Sequence, residues 1–440
     1  MNNILIIGAG RSSTFLIDYL IAFAEQNNFT ITLADADVAL AETKCRNSKI
    51  ATAIKFNVDD ENLRQSLISN AIIVVSMLPA HMHLSVANDC VLLKRHLVTA
   101  SYVSAGMQAL DEEAKKNGII LLNEVGLDPG IDHMSAMKII HDLTKKGAHI
   151  SSFKSYCGGL VAPESNDNPW GYKFSWNPRN VILAGQSTAQ YLENGSLKLV
   201  PYNRMFATAS SIEVEGYGCF DAYPNRDSLS YIVPYELENI QTMLRGTLRQ
   251  HNYCKAWNVF VQLGICDDSY KIDASKLTYR NLIDSFLPES DLSTEEKLSM
   301  YCEADQTCID MLHFTGILSN EPINQSNVSP AEILQSLLEE RWKLLPHDKD
   351  MIVMVHQFVY SINGEKKTLQ SSLVVKGDDS VYTSMAKTVG LPAAIAVKNI
   401  LTGKIKLTGV HIPILPAVYE PILEELSKFG IVFKEQFLND

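Results

Sequence analysis

Three arginines in the middle of the chain have the surroundings of an anion site. Arg226 stands in the turn-like run Tyr223-Pro224-Asn225-Arg226-Asp227-Ser228, and Arg245 and Arg249 flank Gly246 and Thr247. A guanidinium forks onto a carboxylate with two parallel hydrogen bonds, so three of them suit a ligand carrying several carboxylates. In an acidic chain they would also focus an anion locally. The same arginines read equally as surface salt-bridge partners. Ser155-Tyr156-Cys157-Gly158-Gly159 ends a strand-like run with two glycines, which would let a backbone approach a ligand.

A second site type opens the chain. Ile4-Leu5-Ile6-Ile7 runs into Gly8-Ala9-Gly10-Arg11-Ser12-Ser13, and Phe15, Leu16, Tyr19, Leu20 and Phe23 follow at helical spacing. In such a strand–turn–helix Gly8 permits the sharp turn and Gly10 lets a pyrophosphate approach the backbone. The helix N-terminus then presents free N–H groups to the phosphates. Ser13 occupies the third glycine position of the pattern, a departure. Phe29 to Asp35 reads as the next strand, and Asp35 falls roughly 25 residues after Gly10, near the spacing at which a carboxylate meets the adenosine ribose. It accepts from a free 2′-hydroxyl and repels a 2′-phosphate. No arginine follows directly, so NAD is expected over NADP. The plainer reading of Asp35 and Asp37 is a pair of strand-end turn residues.

Composition sets bounds. The 440 residues suit two or three domains. With 46% hydrophobic and 20% charged residues the chain is expected to fold as a packed globule. A formal charge of −12 weighs against nucleic acid as a partner. Eight cysteines lie at irregular spacings, Cys302 and Cys308 too far apart for a zinc knuckle, so no metal site is expected. No apolar run reaches membrane-spanning length. The chain begins almost directly with a buried-type strand, so no targeting segment is expected. A soluble protein of a reducing cytoplasm is the resulting expectation.

The elements that must position these residues alternate. Strands are expected at Ile54–Asp59, Ile72–Pro79, Leu97–Tyr102 and Ile119–Asn123, with helices over Ala80–Lys94 and Ala105–Asn117 between them. That is a doubly wound parallel sheet, in which ligands meet the carboxyl ends of the strands. Ser76 to Pro79, Ser101, Tyr102 and Asp128 therefore share one rim. Asp128-Pro129 reads as the N-cap and first residue of a helix running to about Lys146. His133, inside it, reads as a satisfied core or surface histidine, and Cys157 as a small core residue.

From Ile150 strand-like runs appear at Ser152–Cys157, Val181–Leu183, Leu197–Val200 and Ile212–Phe220, which suits a mixed sheet. Helical spacing takes over at Glu295–Tyr301, Cys308–Leu318 and Ala331–Trp342, with capping boxes opening at Ser293 and Ser329. Met351–Ile362 and Thr368–Val375 flank Asn363-Gly364, a tight hairpin. A helix over Ser380–Leu401 with Pro392 inside, a strand over Ile405–Pro413 and a helix over Ala417–Phe429 finish the pattern.

Several long stretches resemble a known family, the saccharopine dehydrogenases of the L-glutamate-forming type. They are Ala100–Ser104, Asn123–His133, Ser155–Gly159 with Ala162-Pro163-Glu164, Asp167-Asn168-Pro169, Gly171–Trp176, Tyr223–Ser228, Arg245–Arg249 and Thr388–Pro392. The resemblance implies a Rossmann doubly wound parallel sheet plus a mixed α/β substrate and dimerisation domain with a helical insertion. It places a Rossmann domain at 1–127, joined by a C-terminal tail from about 395 to 440. The mixed domain takes 128–252 and 346–394, and the insertion 253–345. It places Ser101, Tyr102, Asp128, Cys157, Arg226, Arg245 and Thr247 at the substrate, with Asp128, Tyr102 and Cys157 as acid–base groups. It places Gly8, Gly10, Arg11, Ser12, Ser13, Asp35, Asn57, Val58, Met77, Leu127 and Asp128 along the cofactor.

The implied reaction is reversible. Hydride leaves the C–N carbon of saccharopine for a nicotinamide, and water hydrolyses the imine to 2-aminoadipate 6-semialdehyde and glutamate, aided by closure of the two domains. Many family members use NADP and carry an arginine after the second strand; Asp35-Ala36-Asp37 here points to NAD, with NADP possible. The implied partners are a tricarboxylic amino-acid substrate and a second copy of the chain. Two other readings exist. A carboxyspermidine-type dehydrogenase is disfavoured by the three arginines, and a non-enzymatic dinucleotide sensor by the intact polar stretches.

Overall fold

Ile4, Leu5, Ile6 and Ile7 are fully buried and form β1 (Asn3–Ile7), the centre of a parallel sheet. Each such side chain contributes about 1.5–3 kcal/mol by leaving water. The chain then makes the turn, a short 3-10 segment and α1 (Thr14–Asn27), and continues through β2 (Thr30–Asp35), β3 (Ala51–Lys55), β4 (Ile73–Ser76), β5 (His96–Thr99) and β6 (Ile120–Leu122). With the late strand Gly409–His411 at one edge, the order across the sheet is Gly409–His411, β6, β5, β4, β1, β2, β3, all parallel. Sequence order reverses between β1 and β4, the crevice where ligands of such sheets bind.

The computed structural model describes residues 2–438. Backbone contacts divide the chain into one unit of Met1–Gly147 with Gly377–Phe433 and another of Ala148–Lys376 with Lys434–Asp440. These limits differ from the expected ones for visible reasons. Helix Ile131–Lys145 joins the first unit, where His141 Nδ1 lies 2.8 Å from the Tyr419 hydroxyl of helix Pro416–Ser427. Helix Ser384–Leu401 joins it too, because Gly390 packs directly on α1: a Cβ there would stand 3.0 Å from Leu16 N.

The second unit holds a ten-stranded mixed sheet. Its main path runs Ser210–Val214, Gly218–Pro224, Thr242–Gln250, His149–Val161, Asp350–Ile362, Glu365–Lys376, Lys434–Leu438. Only Thr242–Gln250 and His149–Val161 pair in parallel along that path. The hairpin at Asn363-Gly364 forms, both residues having positive φ (52° and 81°). Both capping boxes also form, at Thr294–Cys302 and Pro330–Arg341. Five helices between Tyr253 and Arg341 share one aromatic core with Trp170, Tyr172 and Phe206, so the insertion does not separate as a unit.

Three expected elements change. Val181–Leu183 is the end of helix Pro178–Leu183, because Asn177 caps Arg179 N at 3.0 Å and Pro178 starts the turn. The run Ile212–Phe220 is two strands separated by a turn. Asp128 is not a helix cap. Helix Ile131–Lys145 begins after Gly130, which packs so closely on Gly126 that a Cβ would lie 2.1 Å from its carbonyl oxygen. The Asp128–Pro129 peptide is cis.

Candidate active site

In the first unit the glycine turn closes against β4. Gly8 has φ +106° and donates to Ala34 O at 2.9 Å, while Met77 N donates to Ile7 O at 2.8 Å. A Cβ on Gly8 would meet Met77 backbone at 3.0 Å, so this position requires glycine. Gly10 faces open space, with nothing within 4 Å of where a Cβ would be. Arg11 is exposed and Ser12 half-buried beside it. Ser13 is buried and its hydroxyl donates to Gly10 O at 2.8 Å.

At the end of β2, Asp35 Oδ2 accepts from Ala9 N at 2.5 Å and Oδ1 from Asp37 N at 2.8 Å. Asn57 and Val58 lie just beyond β3, where Asn57 Oδ1 accepts from Asp59 N at 3.1 Å and Val58 O accepts from Arg64. The turn, the open space at Gly10 and the strand-end carboxylate fit a dinucleotide.

Lys44 also stands here, outside every motif read from the sequence. Its ammonium donates to Gly10 O at 2.6 Å, Ser13 Oγ at 3.0 Å and Thr14 Oγ1 at 3.1 Å. Burial pulls its pKa down to about 8, against the attraction of Asp18 and Asp35 and with added repulsion from Arg46.

Further along the strand-end rim, two histidines hold the loop after β5. His83 Nδ1 lies 2.8 Å from Ser76 Oγ, and its Nε2 lies 2.7 Å from Ser101 Oγ and 3.3 Å from Thr99 Oγ1. Burial, with a smaller contribution from His81, lowers the His83 pKa to about 4, so the ring is neutral near pH 7. His133, fully buried, lies 2.7 Å from Glu124 Oε2, while Glu124 Oε1 accepts from Val103 N at 2.9 Å. The satisfied core reading of His133 holds. The loop so fixed carries Tyr102, whose hydroxyl donates to Asp128 Oδ1 at 2.9 Å. Both residues are half-buried, an arrangement able to hold or pass a proton. Leu127 is buried beside them and its carbonyl accepts from Asp132 N at 3.1 Å.

In the second unit, adjacent strands bring Tyr223, Thr247 and Cys157 abreast in register. Directly paired residues share a face of the sheet, and Arg245 beside Ser155 lies two positions along that face. Arg245 is buried, its guanidinium 4.2 Å from the Tyr231 ring centre. Asn225 N donates to Arg245 O at 2.8 Å, tying in the turn that carries Arg226. Arg226 is exposed with φ 52°, a strained conformation of the kind that clusters at ligand sites. With Asp227, Gln186, Thr188 and Gln190 it lines a cavity of about 740 Å³.

The third arginine departs from expectation. Arg249 is buried with its guanidinium 5.3, 5.8 and 5.4 Å from the rings of Tyr172, Tyr223 and Tyr253. Such a cage gives it a packing role, which leaves Arg226 and Arg245 as the carboxylate candidates. Gly158 does not end its strand either: it is needed where Leu248 O would lie 2.5 Å from a Cβ. His83, Lys44 and Glu124 are the residues sequence reasoning missed. Each acts through a fold contact that no spacing announces.

A parallel sheet with this strand order and a glycine turn at its switch point defines a Rossmann-type dinucleotide-binding protein. Family models agree: one described as "Saccharopine dehydrogenase NADP binding domain" matches residues 4–122, and one described as "Saccharopine dehydrogenase C-terminal domain" matches 126–431. The chain is 33% identical to a Saccharomyces cerevisiae relative named saccharopine dehydrogenase [NADP(+), L-glutamate-forming], over 99% of both chains. It is 36% identical to the mitochondrial alpha-aminoadipic semialdehyde synthase of Rattus norvegicus, over 98% of this chain and 47% of that one. The solved apo histidine-tagged saccharopine dehydrogenase (L-Glu forming) from Saccharomyces cerevisiae superposes with a TM-score of 0.90 at 33% identity, covering 100% of both chains. The chain belongs to the saccharopine dehydrogenase family. The comparisons favour NADP, where the sequence pointed to NAD.

Proposed function

We propose that this chain oxidises the CH–NH bond of saccharopine reversibly with a nicotinamide cofactor, in lysine metabolism. Saccharopine, water and the oxidised cofactor give 2-aminoadipate 6-semialdehyde, L-glutamate, the reduced cofactor and a proton. The observation that carries this is identity along the whole chain to a relative named for that reaction. The bound nicotinamide supplies the hydride acceptor or donor. Gly8, Gly10, Arg11, Ser12 and Ser13 would hold its phosphates, with Asp35, Asn57 and Val58 toward the adenosine and Met77 and Leu127 toward the nicotinamide.

Tyr102 and Asp128 form the proton-handling pair in this reading, supported by their hydrogen bond. Arg226 and Arg245 bind substrate carboxylates in this reading, and Ser101, Thr247 and Cys157 are its further substrate-binding groups. A homodimer in a reducing cytoplasm completes it, consistent with eight free cysteines. The relatives' names favour NADP. NAD is a second reading, favoured by one observation: Asp35 and Asp37 put two carboxylates at the end of β2, where a 2′-phosphate would be repelled. Absorbance of reduced nicotinamide with saccharopine plus NADP, then plus NAD, tests both. Silence with both cofactors refutes the activity.

A further inference from the structure

Lys44 is the one lysine of helix Val38–Cys45 and stands in its last turn, and its three hydrogen bonds all reach the turn that opens α1. A helix N-terminus already carries positive potential, so a cation there is disfavoured in the free protein. Partial burial disfavours it further. The carboxylates facing it are otherwise engaged. Asp18 meets Arg46 at 3.1 Å and accepts from the Tyr382 hydroxyl at 3.0 Å, and Asp35 accepts two backbone N–H groups. The turn itself is adapted to the lysine. Ser13 stands where the pattern has its third glycine, and its hydroxyl is one of the three acceptors; a glycine would offer none.

We propose that Lys44 is a cofactor-site cation: it fixes the glycine turn through Gly10 and Ser13 and places its positive charge where the phosphates of a nicotinamide dinucleotide are held. This rests on the dinucleotide reading above. An anion bound nearby favours the ammonium and raises its pKa from about 8. The binding energy is therefore complete below that pH and declines as pH rises through it. Asp18, Asp35 and Arg46 are the other charged groups facing Lys44.

The test is a fluorescence titration of NADH and NADPH binding from about pH 6.5 to about pH 9.5, on the full chain as wild type, Lys44→Met, Lys44→Gln and Ser13→Gly. NADH serves for the pH slope because it lacks the ionising 2′-phosphate. Lys44→Met is expected to bind about tenfold more weakly at pH 7 and to lose the alkaline decline. Its cofactor-free melting temperature is read alongside, because the variant loses three hydrogen bonds to the turn together with a disfavoured charge. Lys44→Gln keeps polar contacts without charge and should bind as weakly. Ser13→Gly should bind less tightly than wild type.

Lys44→Met or Lys44→Gln binding within about twofold of wild type, with the alkaline decline retained, overturns the proposal. So does a variant that melts lower yet binds normally, because that marks a purely structural lysine. Should Lys44→Met fail to fold, Lys44→Gln and Ser13→Gly decide. A wild type that binds neither dinucleotide refutes the dinucleotide reading itself.

Discussion

Replacing His83 by Phe keeps the ring and removes both nitrogens. Ser76 Oγ, fully buried, then loses its partner, and Thr99 Oγ1 and Ser101 Oγ lose one contact each. Leaving one buried hydroxyl unsatisfied costs about 1–3 kcal/mol, so the variant should lose about 2 kcal/mol at pH 7. The wild type carries a penalty the variant lacks. Its imidazole ionises near pH 4 when folded, below the ordinary value of 6.5. Between those values the unfolded chain holds a proton that the folded chain does not. Stability is complete above pH 6.5 and falls toward pH 4, by about 3 kcal/mol in all.

The two stability–pH curves should therefore converge, meeting near pH 5. Urea denaturation followed by circular dichroism across that range measures the gap. Hydrogen exchange on the segment from β4 to Ser101 localises it. A gap that stays constant from pH 7 to about pH 4.5 would refute the neutral buried imidazole.

Other substitutions probe the remaining parts. Tyr102→Phe removes the donor to Asp128 and should lower kcat about 10- to 100-fold with dinucleotide affinity unchanged, read by steady-state kinetics and fluorescence titration. Arg226→Ala should raise the substrate KM with little change in cofactor affinity; kinetics showing the reverse pattern would move this arginine to the cofactor. Gly130→Ala forces a Cβ to within 2.1 Å of Gly126 O and should cost about 3 kcal/mol or more in chemical denaturation.

Much of the first unit was legible because its strands are continuous apolar runs, as parallel strands covered on both faces must be. Capping boxes at Ser293 and Ser329 and the Asn363-Gly364 turn were legible because their chemistry is local. Val181–Leu183 misled because a short apolar run has no period, and Asn177-Pro178 outweighed it. Strands Ala189–Glu193 and Lys434–Leu438 were missed, being half-buried or exposed with no clean alternation. Asp128 looked like a cap because Asp-Pro usually is one; the contact of Gly130 on Gly126 that displaces the helix start is invisible without coordinates. Arg249 looked like a ligand residue until three tyrosines from separate segments enclosed it. Lys44 and His83 reach their partners through tertiary packing alone.

The docking of Gly390 on α1 has a consequence for biosynthesis. A ribosome releases the glycine turn and α1 well before the helix that braces them, Ser384–Leu401, which emerges only after the whole ten-stranded sheet except its last strand has been made. Until then Leu16 and its neighbours have no cover on that side. The nucleotide cradle therefore matures late, with that face of α1 uncovered until Ser384–Leu401 has been made.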